Sequence, residues 1–270
     1  MTDSECIAFL QWALPHLHLR WPGFRRVRSQ VCKRLSGRLR ILELSGIDAY
    51  RTYLAEHSTE WAHLDSLCRI SISRFYRDRS VFDYLQASAM PRLAAQASRH
   101  AERRFPAWCI GCAAGEEVYT LRLLWEPLQQ DFPEVDLRIL GTDVDVHQIK
   151  RAGIACYPES ALRELPDRLR QQAFEKKDGE LCLLEQFKDR VEFRVQDIRR
   201  EVPSETFSLI LCRNVVFTYF AEEEQIAVLK TVHTSLITGG LLVLGKHELV
   251  PASVPGFRTV LPRLPIYQRN

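Results

Sequence analysis

The 270-residue chain has no apolar run of about eighteen residues, the length a helix needs to cross a bilayer. Its N-terminus also lacks a basic-then-apolar leader pattern. A membrane-embedded or exported protein is therefore not expected, and the cytoplasm is the expected compartment. There is no internal repeat and no low-complexity tail. Among the eight cysteines only Cys109 and Cys112 have ligand-like CxxC spacing, and no second CxxC or Cys/His pair follows. A zinc or redox centre is therefore not expected, and both read as buried small hydrophobes. What is present is 46% hydrophobic and 26% charged residues, enough to build one large domain with a smaller one beside it.

Residues 1–68 carry no strand pattern. Helical spacing predicts helices over 6–14, through the basic stretch, over 47–55 and over 62–70. Residues 69–106 read as a connector, helical over 79–104 and interrupted by Pro91. From Pro106 onward strands and helices alternate, which predicts an α/β fold with a parallel sheet covered on both faces. The predicted strands are 107–110, 136–141, 191–196, 207–212 and 241–246, closed by a pair at 257–261 and 264–267. A break in the alternation at about 173–190 contains Asp178-Gly179 between short apolar runs, which predicts a β-hairpin insertion.

The first strand runs into Gly111-Cys112-Ala113-Ala114-Gly115-Glu116-Glu117, and the second ends in Gly141-Thr142-Asp143-Val144-Asp145. Small residues let backbone turn sharply and approach a ligand, and an acidic residue at the end of the second strand suits both hydroxyls of a ribose. In dinucleotide sites such a turn offers a helix N-terminus to pyrophosphate. Two glutamates at that position would repel it and favour a ligand bearing a cationic amino or sulfonium group. S-adenosylmethionine fits this pattern and a nicotinamide dinucleotide does not. Asp143 has a competing use as a helix N-cap.

Net charge is only +3, but eight basic residues and no acidic one lie between Arg20 and Arg40. Val27, Val31, Leu35, Leu39 and Leu42 recur near helical spacing, while Arg26, Lys33 and Arg40 fall at seven-residue intervals on another face. The face over Arg25 to Arg40 is either a solvated surface or a dock for an acidic protein. Nucleic acid is not expected, because the stretch lacks an aromatic stacking platform.

Ser71-Ile72-Ser73-Arg74-Phe75-Tyr76-Arg77-Asp78, the glycine-rich turn, Gly141 to Asp145 and Cys212-Arg213-Asn214-Val215-Val216-Phe217-Thr218-Tyr219-Phe220 together resemble the ordered signature of CheR-type protein-glutamate methyltransferases. The likeness extends from about residue 6 to the C-terminus. It implies a Rossmann-like class I methyltransferase sheet over 107–270, preceded by an all-helical N-terminal domain and carrying a small β-insertion. It also implies S-adenosylmethionine as methyl donor, S-adenosylhomocysteine as product, and glutamate side chains of a protein such as a chemoreceptor as acceptor. By position in the motifs, Arg77 and Tyr219 are the expected catalytic residues. Ser71, Ser73, Arg77, Gly111, Glu116, Glu117, Asp143, Asp197, Ile198, Asn214 and Val215 are expected around the cofactor: either glutamate at its amino end, Asp143 at the ribose, Asp197 and Ile198 at the adenine.

The chain departs from the family pattern in several places. Serines stand at 71 and 73 where Asn and Thr are usual, the Asn-to-Tyr spacing before Tyr219 is one residue longer, and His247 sits one place late in Gly245-Lys246-His247-Glu248. His247 reads as pocket wall, and no metal is expected there. The short insertion implies no tether to a receptor-tail peptide. These departures leave open a carboxylate acceptor other than a receptor, or a regulatory protein that binds the cofactor without turning it over.

Overall fold

The computed structural model describes residues 2–251 and 253–270 and divides into two units, Met1–Ser71 with Thr218–Gln225, and Ile72–Phe217 with Ile226–Asn270. The first unit contains helices α1 (Asp3–His16), α2 (Trp21–Phe24), α3 (Arg28–Ile41), α4 (Ile47–Glu56) and α5 (Glu60–Leu67). Helix α1 starts on a capping box, in which the Thr2 hydroxyl accepts from the Glu5 N–H and the Glu5 carboxylate accepts from the Thr2 N–H. Its buried face, Cys6, Phe9, Leu10, Ala13 and Leu14, joins Val31, Leu35 and Leu39 of α3 in one core. A disulfide between Cys6 and Cys32 links these two helices.

The second unit begins with α6 (Arg79–Tyr84) and α7 (Met90–Ala97), joined by a π-helical turn over Leu85–Ala89. Pro91 therefore does not end the helix as expected. It occupies the first turn of α7, where its missing N–H costs nothing, and the wider π turn precedes it. Phe82, Leu85, Met90 and Leu93 belong to the sheet unit's core, so from residue 72 the expected connector is part of that unit rather than a separate segment.

The chain then forms β1 (Arg104–Ile110), α8 (Glu116–Asp131), β2 (Asp136–Asp143), α9 (Val146–Ile154), β3 (Cys156–Tyr157), α10 (Asp167–Ala173), β4 (Phe174–Lys177), β5 (Glu180–Leu183), β6 (Val191–Val195), β7 (Phe207–Cys212), α11 (Val216–Tyr219), α12 (Glu222–Ser235), β8 (Leu236–Leu244), β9 (Phe257–Thr259) and β10 (Ile266–Arg269). Seven strands pair in the order β6-β2-β1-β7-β8-β10-β9, parallel from β6 to β8 and antiparallel over the last two pairings. This is the expected Rossmann-like sheet. The central strands are predominantly apolar, as burial on both faces requires, and β7 is buried at all six positions.

Two strands start earlier than their apolar runs suggest. β1 includes Pro106, which has no N–H, in a stretch paired with β2 alone; pairing with β7 starts only at Ala107. β8 begins at Leu236 and shifts register between the partners Phe207 and Leu209, absorbing Gly239 and Gly240. The predicted hairpin is β4–β5. It gains a third strand, β3, and Cys156 pairs directly with Cys182 across the ladder, joined by a second disulfide. Four cysteines are thus cross-linked, while Cys68, Cys109, Cys112 and Cys212 are free and buried.

Candidate active site

The carboxyl ends of β1, β2, β6, β7 and β8 bring together most of the expected residues. After β1 the backbone turns at Gly111, whose φ is +67°, a region that disfavours side chains. A Cβ there would lie 3.1 Å from the Val215 side chain, so Gly111 and Val215 are in close approach. The turn is tied down by the Cys112 N–H on the Thr142 carbonyl at 3.0 Å and the Tyr157 hydroxyl on the Ala114 carbonyl at 2.7 Å. Burial pushes the Cys109 and Cys112 thiols well above their ordinary range, so neither is a thiolate at neutral pH. No cluster of metal-ligating side chains occurs among the described residues.

The two glutamates that open α8 have different surroundings. Glu116 is 6% exposed, and its Oε2 is buried with no partner among the described residues. Burial raises its pKa, against hydrogen bonds from its own backbone N–H and from Ser73. Glu117 is bound instead to Arg213, with Nη1 donating to Oε1 at 2.5 Å. Burial raises Glu117 as well, opposed by the charges of Arg213 and Arg77.

Asp143 ends β2, where its carboxylate accepts from the Ala113 N–H and the Asp145 N–H, both at 2.9 Å. The N-cap of α9 is Asp145, whose carboxylate accepts from the His147 N–H, so the capping alternative for Asp143 does not hold. Asp197 is clamped by Arg199, which donates from its backbone N–H at 3.0 Å and from Nη2 at 2.8 Å. Burial alone would raise Asp197, but Arg199 holds its pKa below the ordinary value. Ile198, next to it, is half-buried. Gln196 was not singled out from sequence, yet its Oε1 is buried with no partner among the described residues, and its N–H donates to the Asp143 carbonyl. A glutamine one residue past a strand carries no sequence signal of that kind.

Asn214 adopts φ +55°, and its N–H donates to Glu248 Oε2 at 2.9 Å. The same oxygen accepts from the Gly245 N–H at 2.6 Å. A Cβ at Gly245 would come within 2.7 Å of both Asn214 Oδ1 and Glu248 Oε2, so only glycine leaves room there. Glu248 is thus a structural acceptor that orders the Asn214 turn, a role the shifted His247 concealed.

Arg77 donates from Nη1 to the Ile72 carbonyl at 3.0 Å. It lies between two residues with left-handed backbone, Tyr76 at φ +58° and Asp78 at +64°. The remaining two expected residues belong to the first unit. Ser71 is the last residue of its first segment, and Tyr219 packs its ring on Phe24, centroids 5.1 Å apart, while its carbonyl accepts from the Arg20 N–H at 2.8 Å.

These residues suit S-adenosylmethionine. The unpartnered Glu116 oxygen can take a cationic amino group, the Asp143 carboxylate a pair of ribose hydroxyls, the Gln196 oxygen an exocyclic amine, and the Gly111–Val215 approach a flat apolar face. The family model described as "CheR methyltransferase, SAM binding domain" matches residues 71–262. A chemotaxis protein methyltransferase of Listeria innocua is 31% identical over 185 residues, covering 68% of this chain and 68% of that protein. A probable chemotaxis protein methyltransferase of Rhizobium etli is 29% identical over 229 residues, 82% of this chain and 84% of the relative. An uncharacterized 104.1 kDa protein of Rhodobacter capsulatus is 28% identical over 239 residues, 88% of this chain but only 25% of that much longer protein. With a matching domain over residues 71–262 and a cradle fitted to its methyl donor, the chain belongs to the CheR family of S-adenosylmethionine-dependent methyltransferases.

Proposed function

We propose that the protein transfers methyl groups to glutamate side-chain carboxylates of an acidic protein, of the chemoreceptor class that the relatives' name of chemotaxis protein methyltransferase suggests. The observation that carries this reading is Arg77. Its positive charge, after that of Arg213, opposes the rise that burial imposes on the Glu117 pKa, and it lies within the unit that holds the cofactor cradle. A planar cation of this kind suits bidentate pairing with an acceptor carboxylate.

S-adenosylmethionine, when bound, supplies an electrophilic sulfonium methyl group. Glu116 would hold its amino end, Asp143 the ribose, Gln196 the exocyclic amine of the adenine, and Asn214 and Val215 the methionine side. A glutamate carboxylate, with a reference pKa near 4.3, is already ionised at neutral pH, so no general base is required. The protein's contribution is positioning. Arg77 orients the acceptor oxygen, and such alignment can be worth about 7–11 kcal/mol.

Incubation with the methyl-labelled cofactor and an acidic receptor-type protein should give label that base releases, as expected of a carboxyl ester. Arg77→Ala should lower transfer by about a hundredfold or more while binding of S-adenosylhomocysteine persists. Near-normal turnover by that variant would refute the assignment. The packing of Tyr219 on Phe24 favours a second reading, in which the tyrosine is structural and the chain binds the cofactor without transferring it. Absence of label in every tested protein, with product binding intact, would select that reading.

A further inference from the structure

The site contains a side chain that neither the motif reading nor the proposed chemistry uses. Arg213 is fully buried and reaches four elements at once. Nη1 donates to Glu117 in the first turn of α8, and Nη2 to the Asp78 carboxylate at 2.8 Å and to the Arg77 carbonyl at 2.9 Å. Nε donates to the Leu244 carbonyl at the end of β8 at 3.3 Å. The guanidinium carbon lies 5.0 Å from the centre of the Phe82 ring, on α6.

The segment it grips is unusual. Tyr76 and Asp78, on either side of Arg77, both adopt left-handed backbone, which residues other than glycine hold only where their surroundings enforce it. Asp78 occupies the N-cap of α6, where an aspartate ordinarily accepts from its own helix, yet it makes no such bond. Its carboxylate goes to Arg213 instead. A lysine could not replace this contact, because a single ammonium cannot span two carboxylates and two carbonyls in the fork geometry of a guanidinium.

We infer that Arg213 is a positioning residue, which locks the Tyr76–Asp78 turn to the start of α8 so that Arg77 is held in one orientation relative to the cofactor cradle. This rests on the reading of Arg77 as the group that orients the acceptor. Arg213 touches neither acceptor nor donor, and it acts through Arg77.

Two variants of the full-length chain test it. Arg213→Lys leaves the turn's own sequence untouched. Asp78→Gly removes the carboxylate but accepts the left-handed backbone, and it guards against failure of the first variant to fold. Both should raise amide hydrogen exchange over residues 76–81 by about tenfold and lower kcat by about 10–100-fold, with S-adenosylhomocysteine affinity changed by less than about threefold. Asp78→Asn, which restores an acceptor oxygen, should recover most of the loss. Unchanged exchange would overturn the inference. So would an equal fall in kcat and cofactor affinity together with the melting temperature, the mark of general destabilisation. Failure of the functional reading looks different, since the wild-type chain would then transfer no methyl group, and the exchange readout would still decide whether the clamp exists.

Discussion

Burying a carboxylate with one oxygen unpartnered is costly at neutral pH, and Glu116 is in that position at the first turn of α8. Burial raises its pKa above the ordinary 4.5, so the folded chain holds the proton more tightly than the unfolded one. Its contribution to stability is therefore fully present below about pH 4.5 and is lost as pH rises through the raised value. A cationic amino group favours the ionised form, so binding in that pH window should release a proton and strengthen as pH rises. Calorimetry of S-adenosylhomocysteine in buffers of different ionisation heat should show this release for the wild type and none for Glu116→Gln, with affinity weaker by about 1–3 kcal/mol. The pairing of acids at the helix start was legible in the sequence as a preference for a cation. Which of the two is open to a ligand was not, because Glu117 is committed to Arg213, 96 residues away. Asp197 shows the same limit, since its engagement by Arg199 depends on the local loop path and not on the motif.

At the scale of elements, runs and breakers foretold most of the sheet. β7 lies where its five apolar residues put it, around a buried Ser208, and the hairpin turns on Asp178-Gly179. β3 was invisible because two residues carry no period, and its pairing is made by the distant β5. The disulfides carried no sequence signal for a related reason. Cys6 and Cys32 each sit on an apolar helix face, and only the packing of α1 on α3 brings their Cα atoms to 6.0 Å. A cross-link of sequence separation 26 should contribute about 3 kcal/mol by restricting the unfolded chain. Replacing both by alanine should lower the denaturant midpoint, with a steeper slope for the variant, whose unfolded chain is less compact. Added reductant should move the wild type the same way and leave the double variant's α1 and α3 unaffected.

For the whole molecule the small net charge conceals a division of labour among the basic residues. Arg28 pairs with Asp3, Arg34 caps the Leu67 and Arg69 carbonyls, and Arg38 forms a buried pair with Glu60, which also accepts from Tyr50. These three are engaged within the helical unit. Arg25 and Arg26, in the turn before α3, and Lys33 and Arg40 on it are exposed with no ion-pair partner among the described residues. Under the proposed function they are the charges that would steer an acidic substrate. Reversing Lys33 and Arg40 to glutamate should raise KM for an acidic protein by about tenfold at low salt, leave kcat and cofactor binding unchanged, and flatten the salt dependence of kcat/KM. A fall in kcat instead would place those charges outside the encounter step. The Cys156–Cys182 bond has its own effect at this scale. It encloses the exposed hairpin tip at Asp178-Gly179, so a protease that nicks the tip leaves two polypeptides still covalently joined. Such a nicked protein migrates as a single species until it is reduced, and its interrupted connectivity escapes any separation by mass run without a thiol.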